Sequence, residues 1–358
     1  MKVMIAAGGT GGHIYPGIAV ANEIMRRDTA SEVLFVGTSR GLETRIVPEN
    51  GFQLSLIHSA GLKSVGLKGT IKGLMTLPRS FVEARRLLRE FRPAVVVGAG
   101  GYVSGPVLMM AVVMGIPTLV MDSNALPGFT NRRLARFVDR AALTFNEALP
   151  YFGTKGTVTG NPVRKEFFEV DQHEPSDDRT AVLIFGGSQG ARAINNAMIG
   201  ALDHLNGTRE SLKVVHQTGE ADFERVRLAY QEHGWESAEV RPFISEMVNE
   251  FAKADILICR AGATTCAEIA AAGKAAIMIP LPTAADDHQR KNAEAMQNAG
   301  AAKMLVQDRL TPELLAATLT ELAASPDEIA SMEKAARKLA REDAAAATVD
   351  IIEELARD

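Results

Sequence analysis

A chain of 358 residues is long enough for two domains of ordinary size, and 46% hydrophobic with 23% charged residues describes a soluble globular protein, not a disordered or membrane-spanning one. No stretch reaches the ~18 uncharged apolar residues of a spanning helix, and a formal net charge of -4 argues against nucleic acid as the main partner. The two cysteines, Cys259 and Cys266, fit no metal-ligand spacing and read as reduced thiols in a cytoplasmic setting.

Lys2-Val3-Met4-Ile5 reads as a buried strand and leads into Ala6-Ala7-Gly8-Gly9-Thr10-Gly11-Gly12-His13. From Ile14 to Arg26, the residues Ile14, Ile18, Ala21, Ile24 and Met25 recur at helical spacing. The glycines therefore sit on a strand-to-helix turn, where first-turn N–H groups lack partners and the helix dipole is positive. Glycine lets a phosphate approach that backbone closely, and His13 is carried on the same turn. A strand running straight into such a turn is not the pattern of a cleavable signal peptide. Nor is it the dinucleotide fingerprint. Ile14 stands where G-x-G-x-x-G, counted from Gly9, needs glycine, and the next strand, Glu32 to Val36, ends in Gly37-Thr38 without the acidic residue that grips a nicotinamide ribose. Hydride transfer is disfavoured, and no cofactor is expected.

Further along, strand and helix signals alternate to the end, which predicts parallel sheets flanked by helices. Leu54 to His58 is the third predicted strand. Residues 62 to 90 hold seven basic side chains (Lys63, Lys68, Lys72, Arg79, Arg85, Arg86, Arg89) against Glu83 and Glu90, with Leu67, Ile71, Leu74, Met75, Leu77 and Phe81 among them. Such a segment suits an anionic membrane surface, or else is an amphipathic helix packed on the sheet. Val95-Val96-Val97 opens into Gly98-Ala99-Gly100-Gly101-Tyr102-Val103-Ser104-Gly105-Pro106, a second anion-sized cradle at the same sheet edge. Thr118 to Met121 is a strand followed by Asp122-Ser123-Asn124. Thr159 to Arg164 marks the crossing between domains, and 171 to 178 reads as a solvated loop.

The opening pattern then returns as strand Ala181 to Phe185, turn Gly186-Gly187-Ser188-Gln189-Gly190 and helix Ala191 to Leu205. Lys213 to His216, Asp255 to Cys259 and Ala276 to Ile279 are strands. The second of these leads to Arg260-Ala261-Gly262-Ala263-Thr264-Thr265-Cys266-Ala267 and a helix carrying Glu268, and Asp286-Asp287-His288-Gln289 follows the third. From Pro312 the chain is helical, and its last helix puts Val349, Ile352 and Leu355 on one side. The expected architecture is α/β, two doubly wound parallel-sheet domains with their strand ends facing across a cleft. The expected spans are 1–160, 161–340, and a C-terminal helix over 341–358 packing back on the first domain.

These motifs together resemble the MurG family, the enzymes that attach N-acetylglucosamine to the muramoyl-pentapeptide lipid of peptidoglycan synthesis. The resemblance rests on Gly8 to His13, Gly100 to Pro106, Gly160 to Arg164, Gly186 to Ala191, Glu268 to Gly273, and Asp287-His288-Gln289 with Asn292-Ala293, in register across both halves. It implies a GT-B glycosyltransferase with two Rossmann-like domains around a cleft. It also implies a UDP-N-acetylglucosamine donor, an undecaprenyl-diphosphate-linked muramoyl-pentapeptide acceptor, inversion at the anomeric carbon, and a peripheral station on the cytoplasmic face of the bacterial membrane.

By the same resemblance Ser188 and Gln189 hold the donor diphosphate, Glu268 the ribose hydroxyls and Ile244, beside Phe243, the uracil. Arg164, Gln289 and Asn124 contact the donor, Ala263, Thr264, Thr265, Cys266 and Ala267 line its site, and Thr10, Gly11 and Gly12 close over it. Gly100, Gly101, Tyr102 and Ser104 face the acceptor. One departure stands out: the family commonly reads His-Glu-Gln-Asn where this chain has Met121-Asp122-Ser123-Asn124.

Sugar transfer needs a stabilised leaving diphosphate and a base for the acceptor hydroxyl. With no Asp-x-Asp motif, helix N-termini are expected to neutralise the leaving group instead of a metal. His13 is the titratable group best placed to take the proton, unless it only positions a phosphate. Asp122 is the rival base, unless it merely caps the following helix. Glu268 is otherwise an exposed helical glutamate, His216 a strand-end residue and His288 a helix-start residue. A sugar-nucleotide epimerase and a non-catalytic membrane-recruiting subunit are the two alternatives.

Overall fold

The computed structural model describes residues 1–39, 41–59, 66–170, 179–187 and 189–357, with the backbone alone at 66–76 and 285. Ser188, Lys63 and the stretch 171–178 lie outside the described residues, as do the side chains of Leu67, Lys68, Ile71, Lys72, Leu74 and Met75. The chain divides into two compact units, Met1–Val163 with Arg341–Asp358, and Arg164–Ala340.

Among the described residues the first unit has a seven-stranded parallel sheet: β1 Lys2–Ala7, β2 Glu32–Gly37, β3 Gln53–Leu56, β4 Val95–Gly100, β5 Thr118–Asp122, β6 Arg140–Leu143 and β7 Gly156–Val158. Its helices are α1 Gly11–Arg27, α2 Glu43–Glu49, α3 Gly66–Phe91, α4 Ser104–Val113, α5 Phe129–Leu134 and α6 Leu149–Phe152. The near-continuous apolar runs of β1 and β4 are what a parallel sheet covered on both faces requires. Alternate side chains serve opposite faces: Val3, Ile5 and Ala7 join one core with Ile14, Ile18 and Ile24, while Met4 and Ala6 join another with Leu88, Val107 and Leu108. The strand order is β3-β2-β1-β4-β5-β6-β7, so the winding reverses between β1 and β4. A crevice opens beyond the carboxyl ends of strands at such a point.

The second unit repeats this plan. Its strands are β8 Thr180–Phe185, β9 Leu212–Gln217, β10 Glu239–Arg241, β11 Ile256–Cys259, β12 Ala275–Met278 and β13 Ala302–Met304. Its helices are α7 Arg192–Ala201, α8 Phe223–Glu232, α9 Met247–Lys253, α10 Ala263–Ala272, α11 His288–Asn298, α12 Pro312–Ala323 and α13 Pro326–Leu339. The order β10-β9-β8-β11-β12-β13 reverses between β8 and β11. The last helix, α14 Ala344–Leu355, belongs to the first unit. Val349, Ile351, Ile352 and Leu355 join the core of Val3 and Ile5, and Arg27 reaches Asp350 at 2.7 Å.

The doubly wound class expected from the alternating pattern is the one observed. The short strands β6, β7, β10 and β13, three or four residues each, carry too little periodicity to be read in advance. Helix α1 starts at Gly11, three residues before its apolar periodicity, and α7 ends at Ala201, short of the expected Leu205.

Candidate active site

In the first unit the two glycine turns meet at the switch point. β1 delivers Gly8 and Gly9, the latter at φ 89°, and Thr10 caps α1 through its carbonyl, which accepts from His13 N at 3.1 Å and Ile14 N at 3.3 Å. β4 delivers Gly100 at φ 121° and Gly101 at φ 82°, conformations that only glycine adopts without strain. A Cβ on Gly100 would fall on the His13 imidazole, and one on Gly101 on the Gly8 carbonyl. The half-buried His13 ring therefore lies directly on the second turn, and both turns are glycine because each occupies the other's side-chain space. Thr10 is exposed, and Tyr102 stands 58% exposed beside them, its carbonyl accepting from Ser59 Oγ at 2.8 Å.

Two residues expected at the site lie inside the unit. Ser104, read as facing the acceptor, is buried at the head of α4. Its hydroxyl accepts from Gly100 N at 3.0 Å and lies 2.9 Å from Ala6 O, so it ties the second turn to β1. Asp122, read as a rival base, is buried at the end of β5. Oδ1 accepts from Asn124 N at 3.0 Å, and Oδ2 from Gly128 N and Asn131 Nδ2 at 2.9 Å each. Burial raises its pKa against the pull of these bonds. The carboxylate organises the 122–131 loop. Ser123 also turns inward, donating to Asn161 Oδ1 at 2.9 Å.

The second unit presents a similar turn, with Gly187 at φ 96° and Gly190 at φ 73°. Cβ atoms on Gly190 and Gly219 would collide with the backbones of Thr218 and Gln189, so the turn is packed backbone to backbone against the 217–219 loop. Gln189 is exposed. Buried Gln217 donates to Gly187 O at 2.9 Å and accepts from Ile244 N at 2.8 Å, so the N–H of Ile244 is already engaged while neighbouring Phe243 is exposed. His216 lies inside the unit, between Tyr230 OH and Asn195 Oδ1 at 3.1 Å each, and burial drops its pKa to about 3.

Across the switch point, β11 leads into α10, capped by Gly262. Glu268 is half-buried on this helix, its pKa pushed up to about 7 by burial against the pull of nearby Arg164. Arg164 is exposed and lies over the Phe167 ring at 5.0 Å. Among the described residues, Thr264 Oγ1 is buried without a hydrogen-bond partner, which marks a place where a ligand atom would be welcome. Ala263, Thr265 and Ala267 are half-buried around it. Cys266 is buried on the packed face of α10, its thiol pushed up to about 12 by burial. Asp286 and Asp287 hold φ values of 54° and 57°, strained for non-glycine residues, immediately before His288 and Gln289 start α11. Gln289 Oε1 accepts from Leu281 N at 3.0 Å. Among the described residues no cluster of three or more His, Cys, Asp or Glu side chains is arranged to hold a metal ion.

Family models described as the glycosyltransferase family 28 N-terminal and C-terminal domains match residues 3–143 and 181–349. The chain is 48% identical over 357 residues to a UDP-N-acetylglucosamine–N-acetylmuramyl-(pentapeptide) pyrophosphoryl-undecaprenol N-acetylglucosamine transferase of Myxococcus xanthus, covering 99% of this chain and 93% of the relative. It is 47% identical to the enzyme of the same name from Citrifermentans bemidjiense, over 98% of each chain. The crystal structure of Acinetobacter baumannii MurG superposes with a TM-score of 0.83 at 32% identity, over 99% of both chains. The chain belongs to the MurG family of glycosyltransferases.

For a MurG-family chain, the sequence motifs led to the glycine turns and to Glu268, but passed over two side chains that hold those turns. Gln217 ends β9 and carries no motif of its own. Glu43 begins α2, fully buried, and accepts from Gly9 N at 2.9 Å, Thr38 N at 2.7 Å and Thr38 Oγ1 at 2.9 Å. Its only sequence signal is indirect: Gly8, Gly37 and Gly41 are glycines that a Cβ would drive into it.

Proposed function

We propose that this chain transfers N-acetylglucosamine from UDP-N-acetylglucosamine to the 4-hydroxyl of the muramoyl-pentapeptide diphospho-undecaprenol lipid, with inversion. The observation that carries this reading is identity near one half along the whole length of transferases so named, through both units. The second unit takes the donor, and the first takes the acceptor. Glu268 accepts hydrogen bonds from the ribose hydroxyls, and the partnerless Thr264 hydroxyl and the head of α10 meet donor oxygens. The 186–190 turn with Ser188 and Gln189 faces the diphosphate, Arg164 and Gln289 contact the donor, and Phe243 with Ile244 flanks the uracil. Asn124 and the Thr10–Gly12 backbone contact the sugar, while Gly100, Gly101 and Tyr102 face the acceptor.

In the reaction the acceptor 4-oxygen attacks the anomeric carbon as its proton passes to His13. The bond from that carbon to the diphosphate oxygen breaks, and UDP leaves against helix N-terminal N–H groups. His13 is favoured over Asp122 because the bonds from Asn124, Gly128 and Asn131 tie Asp122 to its own loop. The lipid tail stays in the bilayer, and among the described residues no helix is long and apolar enough to cross one. The reading places the enzyme at the cytoplasmic face of the membrane, held at its anionic surface by α3. Incubation with UDP-N-acetylglucosamine and a soluble lipid-diphosphate acceptor analogue tests the reading. UDP release that depends on the acceptor, with a disaccharide product, is expected. Epimerised donor without acceptor consumption would replace the transferase by an epimerase.

A further inference from the structure

We infer that Glu43 is a positioning residue for the catalytic turn, holding Gly8–His13 in register from behind; this rests on the proposed reading of that turn. Glu43 is fully buried, and its bonds among the described residues come from neutral donors, Gly9 N, Thr38 N and Thr38 Oγ1. Burying a carboxylate is costly unless several charge-assisted bonds replace its water. The chain makes extensive provision for it. A Cβ on Gly8 would come within 2.8 Å of Oε1 and one on Gly37 within 2.5 Å of Cγ, while one on Gly41 would overlap the carboxylate. Three segments, the ends of β1 and β2 and the approach to α2, have therefore given up side chains around one acid.

The consequence reaches the reacting groups through contacts already described. Both polar backbone groups of Gly9 are tied to this segment, its N–H to Glu43 and its carbonyl to Leu42 N at 3.3 Å. The Gly9 N–H is thus withdrawn from any bound anion, which meets the head of α1 instead. Gly101 packs on the Gly8 carbonyl, and adjacent Gly100 underlies the His13 ring. A shift of Gly8–Gly9 is passed to both cradles and to the imidazole.

Glu43→Gln keeps the shape but turns an amide N–H toward one of the N–H donors. The expected result is a kcat lower by on the order of tenfold to a hundredfold, the cost of misplacing reacting groups by a fraction of an ångström to an ångström. UDP affinity, measured by calorimetry, should stay within about twofold of the parent because the second unit is untouched. Thr38→Val, which removes one of the three bonds, should show the same split at smaller size and serves if the first variant does not fold. Parent-like kcat in Glu43→Gln, or in Thr38→Val should that alone fold, overturns the inference, as does a loss of UDP affinity parallel to the loss of kcat. His13→Ala is run alongside: if it too turns over at the parent rate, the reading of the turn itself fails, whereas a slow His13→Ala beside a normal Glu43→Gln refutes only the role of Glu43.

Discussion

Burial pushes the Glu268 carboxyl up to a pKa of about 7, so its charge changes around neutral pH. Ribose hydroxyls bond better to the carboxylate than to the acid, so donor binding should draw the proton off. The donor KM is then expected to fall as pH rises from about 6 to about 8 and to level off above, one unit on either side of the midpoint. Glu268→Gln should raise KM and flatten that profile; an unchanged, pH-dependent KM in this variant would return Glu268 to a plain helical residue. His13→Ala should lower kcat by on the order of a hundredfold or more, the usual cost of losing a general base, with UDP affinity unaffected. Near-normal turnover would remove His13 from the chemistry. Asp122→Asn places an amide against at least one of the N–H groups that now meet a carboxylate oxygen, and leaving such a buried donor unsatisfied costs about 1–3 kcal/mol. Its thermal midpoint should drop. A parent-like midpoint would show that the 122–131 loop does not depend on this acid.

Among the elements, α3 is the one whose charge can be tested directly at a lipid surface. Of its described basic side chains, Arg79 pairs with Glu83 at 2.9 Å and Arg86 with Glu90 at 2.7 Å, one turn apart along the helix. Ala84 and Leu88 face the core while Val82 is 69% exposed, so the helix has both a packed and an outward face. Basic residues near an anionic leaflet contribute roughly 1 kcal/mol each. Vesicles containing anionic lipid should therefore bind the protein in a salt-sensitive way, and neutral vesicles should bind little. Changing Lys68, Lys72 and Arg79 together to glutamate should release it while sparing activity on a soluble acceptor. If that variant still sediments with anionic vesicles as the parent does, the membrane contact lies on another element.

For the whole molecule, the return of α14 to the first unit makes the last residues part of the core built by the first. Val349, Ile351, Ile352 and Leu355 are buried, and each such side chain is worth about 1.5–3 kcal/mol, against a total stability of about 5–15 kcal/mol for a domain. A chain ending at Ala340 should lose the helical signal of its first unit at lower urea. The single tryptophan, Trp235, lies in the second unit, so its fluorescence midpoint should move little. Identical urea profiles by circular dichroism would contradict the role given to α14.

The amino-acid order by itself determined the repeating plan, because apolar strand runs and helical spacing are local signals, and glycines at strand ends announce where a backbone must be approached closely. The turns at Gly8–His13, Gly98–Ser104 and Gly186–Gly190, and the helix bearing Glu268, were all legible in this way. Only tertiary structure decided what each polar side chain touches. Ser104 and Asp122 carry the residue types of a site yet spend their bonds on nearby backbone and loop, since their elements start and end inside the unit. Glu43 and Gln217 look ordinary in sequence but hold the glycine turns in the fold. Their partners, Gly9 and Gly187 among them, lie 34 and 30 residues away, a distance that only the winding of the sheet closes.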